Sequence, residues 1–215
     1  MSALIIKDIK ESIEKAVDII NNDGVVILPA DTVYGLFAKA TSKSAVERVY
    51  EVKKRERRKP FVIYTNKDKV SDICQMNESS EKLVEEIWPQ ALSLILPKKD
   101  IIENWFTQDR PTVAVMTAQN ELISEVIKRV NAPVLGTTVN ISGEPEMKKF
   151  TEVEVFKEQV DLISDNDQLI IYNKPSTMVD CTISPPKVAR LSSLSVEQLQ
   201  DTIPEIDLGL ERRIK

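Results

Sequence analysis

The chain has 215 residues, of which 42% are hydrophobic and 29% charged, a composition typical of a soluble protein with one α/β domain. It has no histidine, which excludes Ser-His-Asp and Cys-His nucleophile systems and every histidine metal site. Its five glycines form neither a GxGxxG nor a GxxxxGKS/T motif, and a net charge of −5 gives no indication of a general polyanion-binding surface.

Apolar residues at helical or alternating spacing predict short strands separated by helices. In chain order we predict helix 8–22, strand 25–29, helix 43–54, strand 60–64, helix 79–88, strands 92–96 and 112–116, helix 120–131, strand 133–138, helix 152–159, strands 168–172 and 176–182, and helix 195–201. Gly24 is expected as the residue that ends the first helix. Because the order is not strictly βαβ, we expect an α/β fold, a mixed sheet with helices on its faces.

Nothing in the sequence indicates a second domain or a membrane segment. No apolar run approaches the roughly 20 residues that cross a bilayer, and the N-terminus lacks the features of a signal peptide. Two cysteines fall short of a disulfide framework. We therefore expect residues 1–215 to form a single domain in the cytoplasm, with no separate C-terminal domain.

A basic cluster follows the helix at 43–54. Residues 53–59, KKRERRK, hold six cations and one carboxylate, Glu56. Such a run is often a solvated helix end, but here Pro60 and Phe61 open an apolar strand directly, which would hold the cations in place. Crowded cations repel each other unless an anion compensates them, and a triphosphate is a natural counter-ion for Lys and Arg side chains.

Three polar segments follow or accompany predicted strands. Residues 29–36, PADTVYGL, place a hydroxyl, an aromatic ring and a glycine in a tight turn. Residues 136–143, GTTVNISG, place three hydroxyls and an amide between two glycines, which permit close backbone approach. Residues 176–180, STMVD, precede Arg190. Each segment alone is as typical of a structural turn or polar loop as of a binding site.

Together, in this order and spacing, these segments resemble the threonylcarbamoyl-adenylate synthases, the YrdC-like domain proteins. PADTVYGLFAKA is similar to the family's P-T-x-T-V-Y-G-L, VYEVKKR to its helix ending in K-x-R, and KPFVIY to its K/N-P-L-I-V strand. IWPQALSLILP is similar to W-P-G-P-x-T, TVAVM to T-V-x-V-R, TTVNISGEP to S-x-N-x-S-G, and STMVDCT with Arg190 to S-T-V-V-D and a later R-x-G. The resemblance runs from about residue 15 to 195.

The resemblance implies a YrdC-like fold, a twisted mixed sheet enclosing a basic cavity. It also implies a nucleotidyltransferase that condenses L-threonine, bicarbonate and ATP to L-threonylcarbamoyl-AMP and pyrophosphate. Mg²⁺ would enter with ATP rather than at a metal site of the protein. The product would pass to a downstream threonylcarbamoyl transferase complex that modifies adenosine 37 of tRNA, and contact with tRNA or double-stranded RNA is expected.

Roles follow by position in the family's motifs. The resemblance assigns Lys53 and Arg55 to catalysis and, with Lys59, Thr112, Thr138, Asn140 and Arg190, to ATP binding. It assigns Thr32, Ser176, Tyr64 and Met116 to the amino-acid side of the site.

Three of these residues depart from the family's pattern. Met116 stands where the family has an arginine that would bind the amino-acid carboxylate, Tyr64 where it often has a histidine, and Thr138 where it has a serine. Another cation, such as Lys54 or Arg58, could replace the arginine, or the amino acid is not threonine. A divergent paralogue acting on another acceptor and a non-catalytic RNA-binding module of the same fold therefore stay open.

Overall fold

The computed structural model describes residues 2–172 and 174–209. Its helices are α1 (Ile9–Asn21), α2 (Lys43–Lys53), α3 (Val70–Ile73), α4 (Glu78–Ile87), α5 (Asn104–Thr107), α6 (Glu121–Arg129), α7 (Phe150–Val153) and α8 (Val196–Thr202). Its strands are β1 (Leu4–Ile6), β2 (Val25–Pro29), β3 (Tyr34–Lys39), β4 (Val62–Tyr64), β5 (Leu92–Pro97), β6 (Thr112–Met116), β7 (Val134–Thr138), β8 (Leu162–Ser164), β9 (Thr177–Asp180) and β10 (Lys187–Arg190). Short 3₁₀ helices lie at Lys67–Lys69, Glu154–Phe156 and Asp167–Leu169.

The ten strands of the described residues form one mixed sheet in the order β1-β8-β2-β3-β7-β4-β6-β5-β9-β10. The pairs β1–β8, β8–β2, β4–β6 and β5–β9 are parallel, and the others are antiparallel. The predicted mixed sheet is therefore confirmed.

Strand β2 shows why the sheet is covered on both faces. Its five residues are all buried, so both sides of the strand need a partner layer. Val26 and Leu28 belong to one apolar cluster with side chains of α1 and α6, whereas Val25 and Ile27 belong to the cluster on the other face, which includes side chains of α2 and α4. The sheet is thus the central layer between two helical layers.

Several predicted elements differ from the structure. Strands β1 and β3 were not predicted, because residues 34–39 follow directly on a turn and residues 4–6 precede a strong helical pattern. The strand predicted at 168–172 is wrong: part of it is a 3₁₀ helix, and Ile171 and Tyr172 donate their backbone N–H groups to the carbonyl of Asp31 instead. The actual strand is β8, which lies between β1 and β2.

Two helical predictions also need correction. The helix predicted at 152–159 is a single α-helical turn, α7, followed by a 3₁₀ turn. Gly24 is not the left-handed residue after α1; Asp23 takes that conformation, with φ of 62°. Gly24 is required by space, because a Cβ there would lie 2.4 Å from Cγ2 of Ile19.

Across the described part of the chain, no helix combines the length and apolarity that a bilayer crossing requires.

Candidate active site

A cavity of about 650 Å³ lies over one face of the sheet, where β7, β4, β6, β5 and β9 run side by side. Alternation along each strand points every second side chain into it. Val62 and Tyr64 of β4 face it, as do Ala114 and Met116 of β6 and Met178 of β9. Strand pairing places Tyr64 opposite Met116, so two of the three residues that depart from the family's pattern lie side by side on the floor of the cavity.

The Tyr64 ring lies across the floor of the cavity, directly against Gly136. A Cβ on Gly136 would lie 2.3 Å from Cε2 of Tyr64, so only glycine leaves room for the ring. Phe37 packs edge-on against Tyr64 at 5.1 Å between ring centroids. The Tyr64 hydroxyl has no hydrogen-bond partner among the described residues. Every fully buried side-chain polar atom of those residues does have a partner, so the Tyr64 hydroxyl is not fully buried and opens to the cavity. Burial raises the pKa of Tyr64, as does the charge of Asp31, so the phenol stays neutral.

Within the basic cluster at 53–59, Arg55 and Lys59 line the cavity. The Arg55 guanidinium lies 5.2 Å from the centroid of the Phe61 ring and donates to the carbonyls of Lys59 and Pro60. Its pKa is lowered by burial, and it forms no ion pair with the described carboxylates. This guanidinium is therefore held in place without a counter-charge.

The other arginines of the cluster turn away from the cavity. Arg57 pairs with Glu47 and Arg58 pairs with Glu56, all four at the surface. Such exposed pairs contribute little to stability. The expectation that Arg58 could replace the arginine missing at position 116 is therefore wrong, because its guanidinium is engaged outside the cavity.

Lys53 lies behind the cavity wall rather than in it. It is 1% exposed, and its ammonium group donates to the carbonyl of Thr138 and to Oδ1 of Asn140 at 2.6 Å, with the Asn140 carbonyl at 3.3 Å. Burial lowers the pKa of Lys53 to about 7, and the charge of Arg55 adds to the effect. Three acceptor oxygens match the three N–H groups of a protonated ammonium, so Lys53 anchors the polar loop that follows β7.

That loop, residues 138–143, is closed by its own side chains. Thr138 donates its hydroxyl to Oδ1 of Asn140 at 3.0 Å, and Asn140 donates to the carbonyl of Glu144 at 2.6 Å. Gly143 has φ of 102°, a conformation that favours glycine. Thr138, Asn140 and Ser142 line the cavity, so hydroxyl and amide groups meet the cationic wall there.

A chain of polar contacts crosses the opposite side of the cavity. Arg190 donates to the carbonyl of Ser176 at 2.9 Å and to its hydroxyl at 3.2 Å. The hydroxyls of Ser176 and Ser93 lie 2.8 Å apart, and Ser93 donates to the sulfur of Met116 at 3.5 Å. Two serine hydroxyls therefore connect the Arg190 guanidinium to the residue at position 116.

The turn between β2 and β3 positions Thr32. Asp31 is 2% exposed, and its carboxylate accepts from the backbone N–H groups of Gln119 and Asn120, each at 2.7 Å, at the start of α6. Carboxylates at a helix N-terminus are favourably placed. The anchored turn holds Thr32 and Ala30 at the cavity, next to the floor residues.

The structure brings together ten of the eleven residues that the sequence assigned to the site. The residues that line the cavity are Thr32, Arg55, Lys59, Tyr64, Thr112, Met116, Thr138, Asn140, Ser176 and Arg190. Lys53 does not line the cavity; it lies behind the wall and donates hydrogen bonds to Thr138 and Asn140. These positions do not test which ligand each residue binds, so the assigned roles stay predictions.

Sequence reasoning missed four residues of this site. Arg110 lines the cavity near Lys59 and donates to the carbonyl of Arg58 at 3.0 Å. Glu144 and Glu146 also line it, and Ser93 forms the hydroxyl pair with Ser176. A serine within the apolar run LSLIL and a cation just before strand β6 were the available signals.

Comparison with known proteins identifies the family. The family model of Sua5, YciO and YrdC, described as telomere recombination, matches residues 18–192. The chain belongs to this family. It is 31% identical to the threonylcarbamoyl-AMP synthase of Pyrococcus abyssi over 94% of this chain and 62% of that protein. It is 30% identical to the threonylcarbamoyl-AMP synthase of Bacillus subtilis over 92% of this chain and 59% of that protein.

Solved structures agree with the family's fold. The crystal structure of Pyrococcus abyssi Sua5 complexed with L-threonine superposes with a TM-score of 0.88 at 27% identity, covering 96% of this chain and 62% of that one. Escherichia coli YciO, at 22% identity, superposes with a TM-score of 0.79 over 93% of this chain and 100% of its own, which shows a shared fold. The chain spans about three fifths of the length of the Pyrococcus abyssi and Bacillus subtilis synthases.

Proposed function

We propose that this chain forms L-threonylcarbamoyl-AMP from L-threonine, bicarbonate and ATP, with release of pyrophosphate. The observation that carries the proposal is one cavity with two chemically different sides. A cationic side contains Arg55, Lys59 and the loop at 138–143, and a hydroxyl-rich side contains Thr32, Ser176 and Tyr64. Relatives named threonylcarbamoyl-AMP synthase support the same activity.

The cationic side suits the phosphates of ATP. Arg55 and Arg110 offer guanidinium groups that match phosphate oxygens, and Lys59 adds a point charge. Thr138 and Asn140 would bind nucleotide or phosphate oxygens beside them, and Thr112 lies on the same wall. Lys53 would act on this side through the loop that it anchors.

The chemistry needs position and charge neutralisation more than a strong base. The amine of threonine and bicarbonate lose water to give a carbamate, whose oxygen attacks the α-phosphorus of ATP and displaces pyrophosphate. Fixed cations stabilise the charge that develops on the phosphates. A chain without histidine can therefore perform this reaction.

Magnesium would enter as the partner of ATP. In the described residues no group of three acidic or cysteine side chains could hold a metal ion by itself. Glu144 and Glu146 nevertheless present carboxylates to the cavity, and carboxylate and phosphate oxygens are the ligands that Mg²⁺ prefers. Bound Mg²⁺ would neutralise phosphate charge.

The proposal also covers the use of threonylcarbamoyl-AMP after its synthesis. We propose that the product passes to a threonylcarbamoyl transferase complex for adenosine 37 of tRNA, in the cytoplasm, with tRNA or double-stranded RNA as a further contact. A second candidate, a carbamoyl-adenylate on another acceptor, is favoured by Met116, because a thioether stands where a carboxylate-binding arginine is expected.

The test is product identification by mass spectrometry. The chain is incubated with Mg²⁺, ATP, bicarbonate and each amino acid in turn, and pyrophosphate is measured in parallel. We expect threonylcarbamoyl-AMP only when threonine and bicarbonate are both present. A different adduct would support the second candidate. RNA binding without pyrophosphate release would instead support the non-catalytic RNA-binding module.

A further inference from the structure

The basic run and the segment before β6 meet at one end of the cavity. Strands β4 and β6 are parallel neighbours, so their amino ends lie at the same edge of the sheet. Lys59 precedes β4, Arg110 precedes β6, and both line the cavity. Nη2 of Arg110 donates to the carbonyl of Arg58 at 3.0 Å, which joins the two segments directly. The carboxyl ends of the same two strands carry Tyr64 and Met116, so cations lie at one end of this strand pair and the floor residues at the other.

The turn between α5 and β6 holds Arg110 at that end. Gln108 and Asp109 have φ of 55° and 60°, left-handed conformations that are unfavourable for residues other than glycine. Thr107 closes the turn, because its hydroxyl donates to the carbonyl of Arg110 at 2.8 Å and its carbonyl accepts from the backbone N–H of Arg110 at 3.3 Å. Two consecutive strained residues therefore fix the position of Arg110, and strain of this kind is concentrated at functional sites.

The Arg110 guanidinium has donors left for a ligand. Among the described residues it forms one hydrogen bond, from Nη2 to the Arg58 carbonyl, and no ion pair. Most of the N–H groups of its fork are therefore unused. The charge of Glu146, a carboxylate of the same cavity, acts on Lys53 and Arg190, whose pKa values burial lowers and this charge raises. Arg110 is thus a cation at the cavity with no described carboxylate beside it.

Arg110 and Arg55 converge at the same place. Burial raises the pKa of Tyr50, and the charges of Arg55 and Arg110 oppose that rise, so both guanidinium groups lie near one phenol. Two guanidinium groups without counter-charges suit a pair of adjacent phosphates. Thr112 and Met116 are the two ends of the five-residue strand β6, which at about 3.3 Å per residue spans about 13 Å. The two arginines are therefore well separated from the floor residues at the carboxyl end of the strand.

We propose that Arg110 binds the β- and γ-phosphates of ATP and retains them as the leaving pyrophosphate. In the proposed reaction a bond forms between the carbamate oxygen and the α-phosphorus, and the bond from that phosphorus to the β-bridging oxygen breaks. The electron pair of the broken bond stays on pyrophosphate, where the N–H groups of Arg110 and Arg55 stabilise the charge without a proton transfer. This proposal rests on the proposed function, because a carbamate on the hydroxyl-rich side must reach the α-phosphorus and leaves the terminal phosphates for the arginines.

The test compares ligands that contain or lack the terminal phosphates. Binding of ATP, AMP and pyrophosphate is measured by calorimetry in the presence of Mg²⁺. We expect Arg110→Gln to weaken ATP and pyrophosphate binding by at least about 10-fold, as for lost charge-assisted hydrogen bonds, and AMP binding by less than about 2-fold. Arg58→Gln is the matched control, since it removes a cation from the adjoining segment whose guanidinium pairs with Glu56 at the surface. It should change all three affinities by less than about 2-fold.

A second comparison separates a phosphate contact from a positioning role. Arg110 also holds the Arg58 carbonyl, so a loss of affinity could arise from displacement of Arg55 alone. Arg110→Gln is therefore repeated on Arg55→Gln, where a direct contact gives a further loss of ATP affinity of at least about 3-fold and a positioning role gives none. Arg110→Lys should keep part of the pyrophosphate affinity, since a point charge replaces the fork. Circular dichroism checks each fold, and if Arg110→Gln does not fold, Arg110→Lys decides by the same titrations.

Five results overturn the proposal. They are no binding of pyrophosphate by the wild type, unchanged pyrophosphate affinity in the deciding variant, equal losses for AMP and pyrophosphate, a loss in Arg58→Gln as large as in Arg110→Gln, and no further loss on Arg55→Gln. Pyrophosphate binding that depends on Arg110, without any threonylcarbamoyl-AMP, would contradict the proposed function and leave the phosphate assignment standing. Threonylcarbamoyl-AMP formation with pyrophosphate binding that is independent of Arg110 would do the reverse.

Discussion

Replacing Lys53 with methionine tests whether this buried lysine acts through the loop or directly on phosphate. Methionine keeps the unbranched apolar stem and removes the ammonium group. The change leaves the carbonyls of Thr138 and Asn140 without their donor, while Oδ1 of Asn140 keeps the Thr138 hydroxyl. A buried acceptor that loses its partner costs about 1–3 kcal/mol, so two such losses destabilise the protein by roughly 2–6 kcal/mol.

The substitution also removes the cost of burying the Lys53 charge, and the size of that cost depends on pH. The folded-state pKa of Lys53 is about 7, below the ordinary value of 10.5, so folding expels a proton between these values. Stability from this group therefore rises as pH increases from 7 to 10.5 and is lowest below pH 7. A difference of one between the folded-state and unfolded-state pKa corresponds to about 1.4 kcal/mol, which gives the wild type about 4 kcal/mol between pH 7 and pH 10. Methionine removes that dependence.

We therefore expect wild type and Lys53→Met to differ little in unfolding free energy near pH 7 and to diverge towards pH 10, with the wild type more stable. Urea unfolding at both pH values measures the difference, and other titrating groups cancel in the comparison. Lys43→Met, an exposed lysine at the start of the same helix, is the control and should show no pH-dependent gap. A gap that is constant over this range would refute the reasoning.

The same variant separates positioning from direct contact. If Lys53 acts through the loop, Lys53→Met should weaken ATP and AMP binding by similar factors, about 10-fold for a loss of about 1.4 kcal/mol. A lysine bound to the terminal phosphates would instead affect ATP far more than AMP. Titration of both nucleotides against wild type and variant gives the answer.

Three further changes test other parts of the cavity. Arg55→Met should weaken ATP binding by about 1.5–3 kcal/mol, whereas Arg57→Met, at a surface pair with Glu47, should change it by less than about 0.5 kcal/mol; equal effects would contradict the assignment. Thr138→Ser keeps the hydroxyl that donates to Asn140, so the ATP affinity measured by titration should be nearly unchanged. Thr138→Val removes that hydroxyl and should lower the ATP affinity. Met116→Arg places a charge at a buried position whose polar neighbour is a serine hydroxyl, so thermal unfolding should show a loss of about 3–5 kcal/mol. Saturating threonine should restore part of that loss, and full stability without threonine would refute this expectation.

Which residues form the cationic side of the cavity was largely predictable from sequence, because they come from short continuous motifs. The loop at 136–143 and the run at 53–59 are each contiguous, and the sheet needs only to place β7 beside β4 to bring them together. Lys53 was assigned to phosphate because it matches the lysine of the family's K-x-R motif. Its burial was nevertheless predictable, since residue 53 continues the helical face of Val46, Val49 and Tyr50, at spacings of three and four.

Strand β8 was missed for a different reason. Residues 168–172 contain more β-branched and aromatic residues than residues 162–164, so propensity favoured the wrong segment. The pairing of β8 between β1 and β2 decides which segment becomes a strand, and no local pattern carries that information. The carbonyl of Asp31 takes the N–H groups of Ile171 and Tyr172, so the competing segment has other partners.

The arrangement of the hydroxyl-rich side of the cavity could not be predicted from motifs taken one at a time. When TVAVM is compared with T-V-x-V-R, the comparison covers one strand and shows only that Met116 replaces an arginine. The sheet places Met116 in a row with Ser93, Met178 and Arg190, whose positions in the sequence lie up to 97 residues apart. The bulge before Arg190 then decides whether that guanidinium faces the cavity, and a bulge leaves no local signature in KVAR. The side chains that surround residue 116 are therefore decided by the sheet register, which the sequence of one strand does not show.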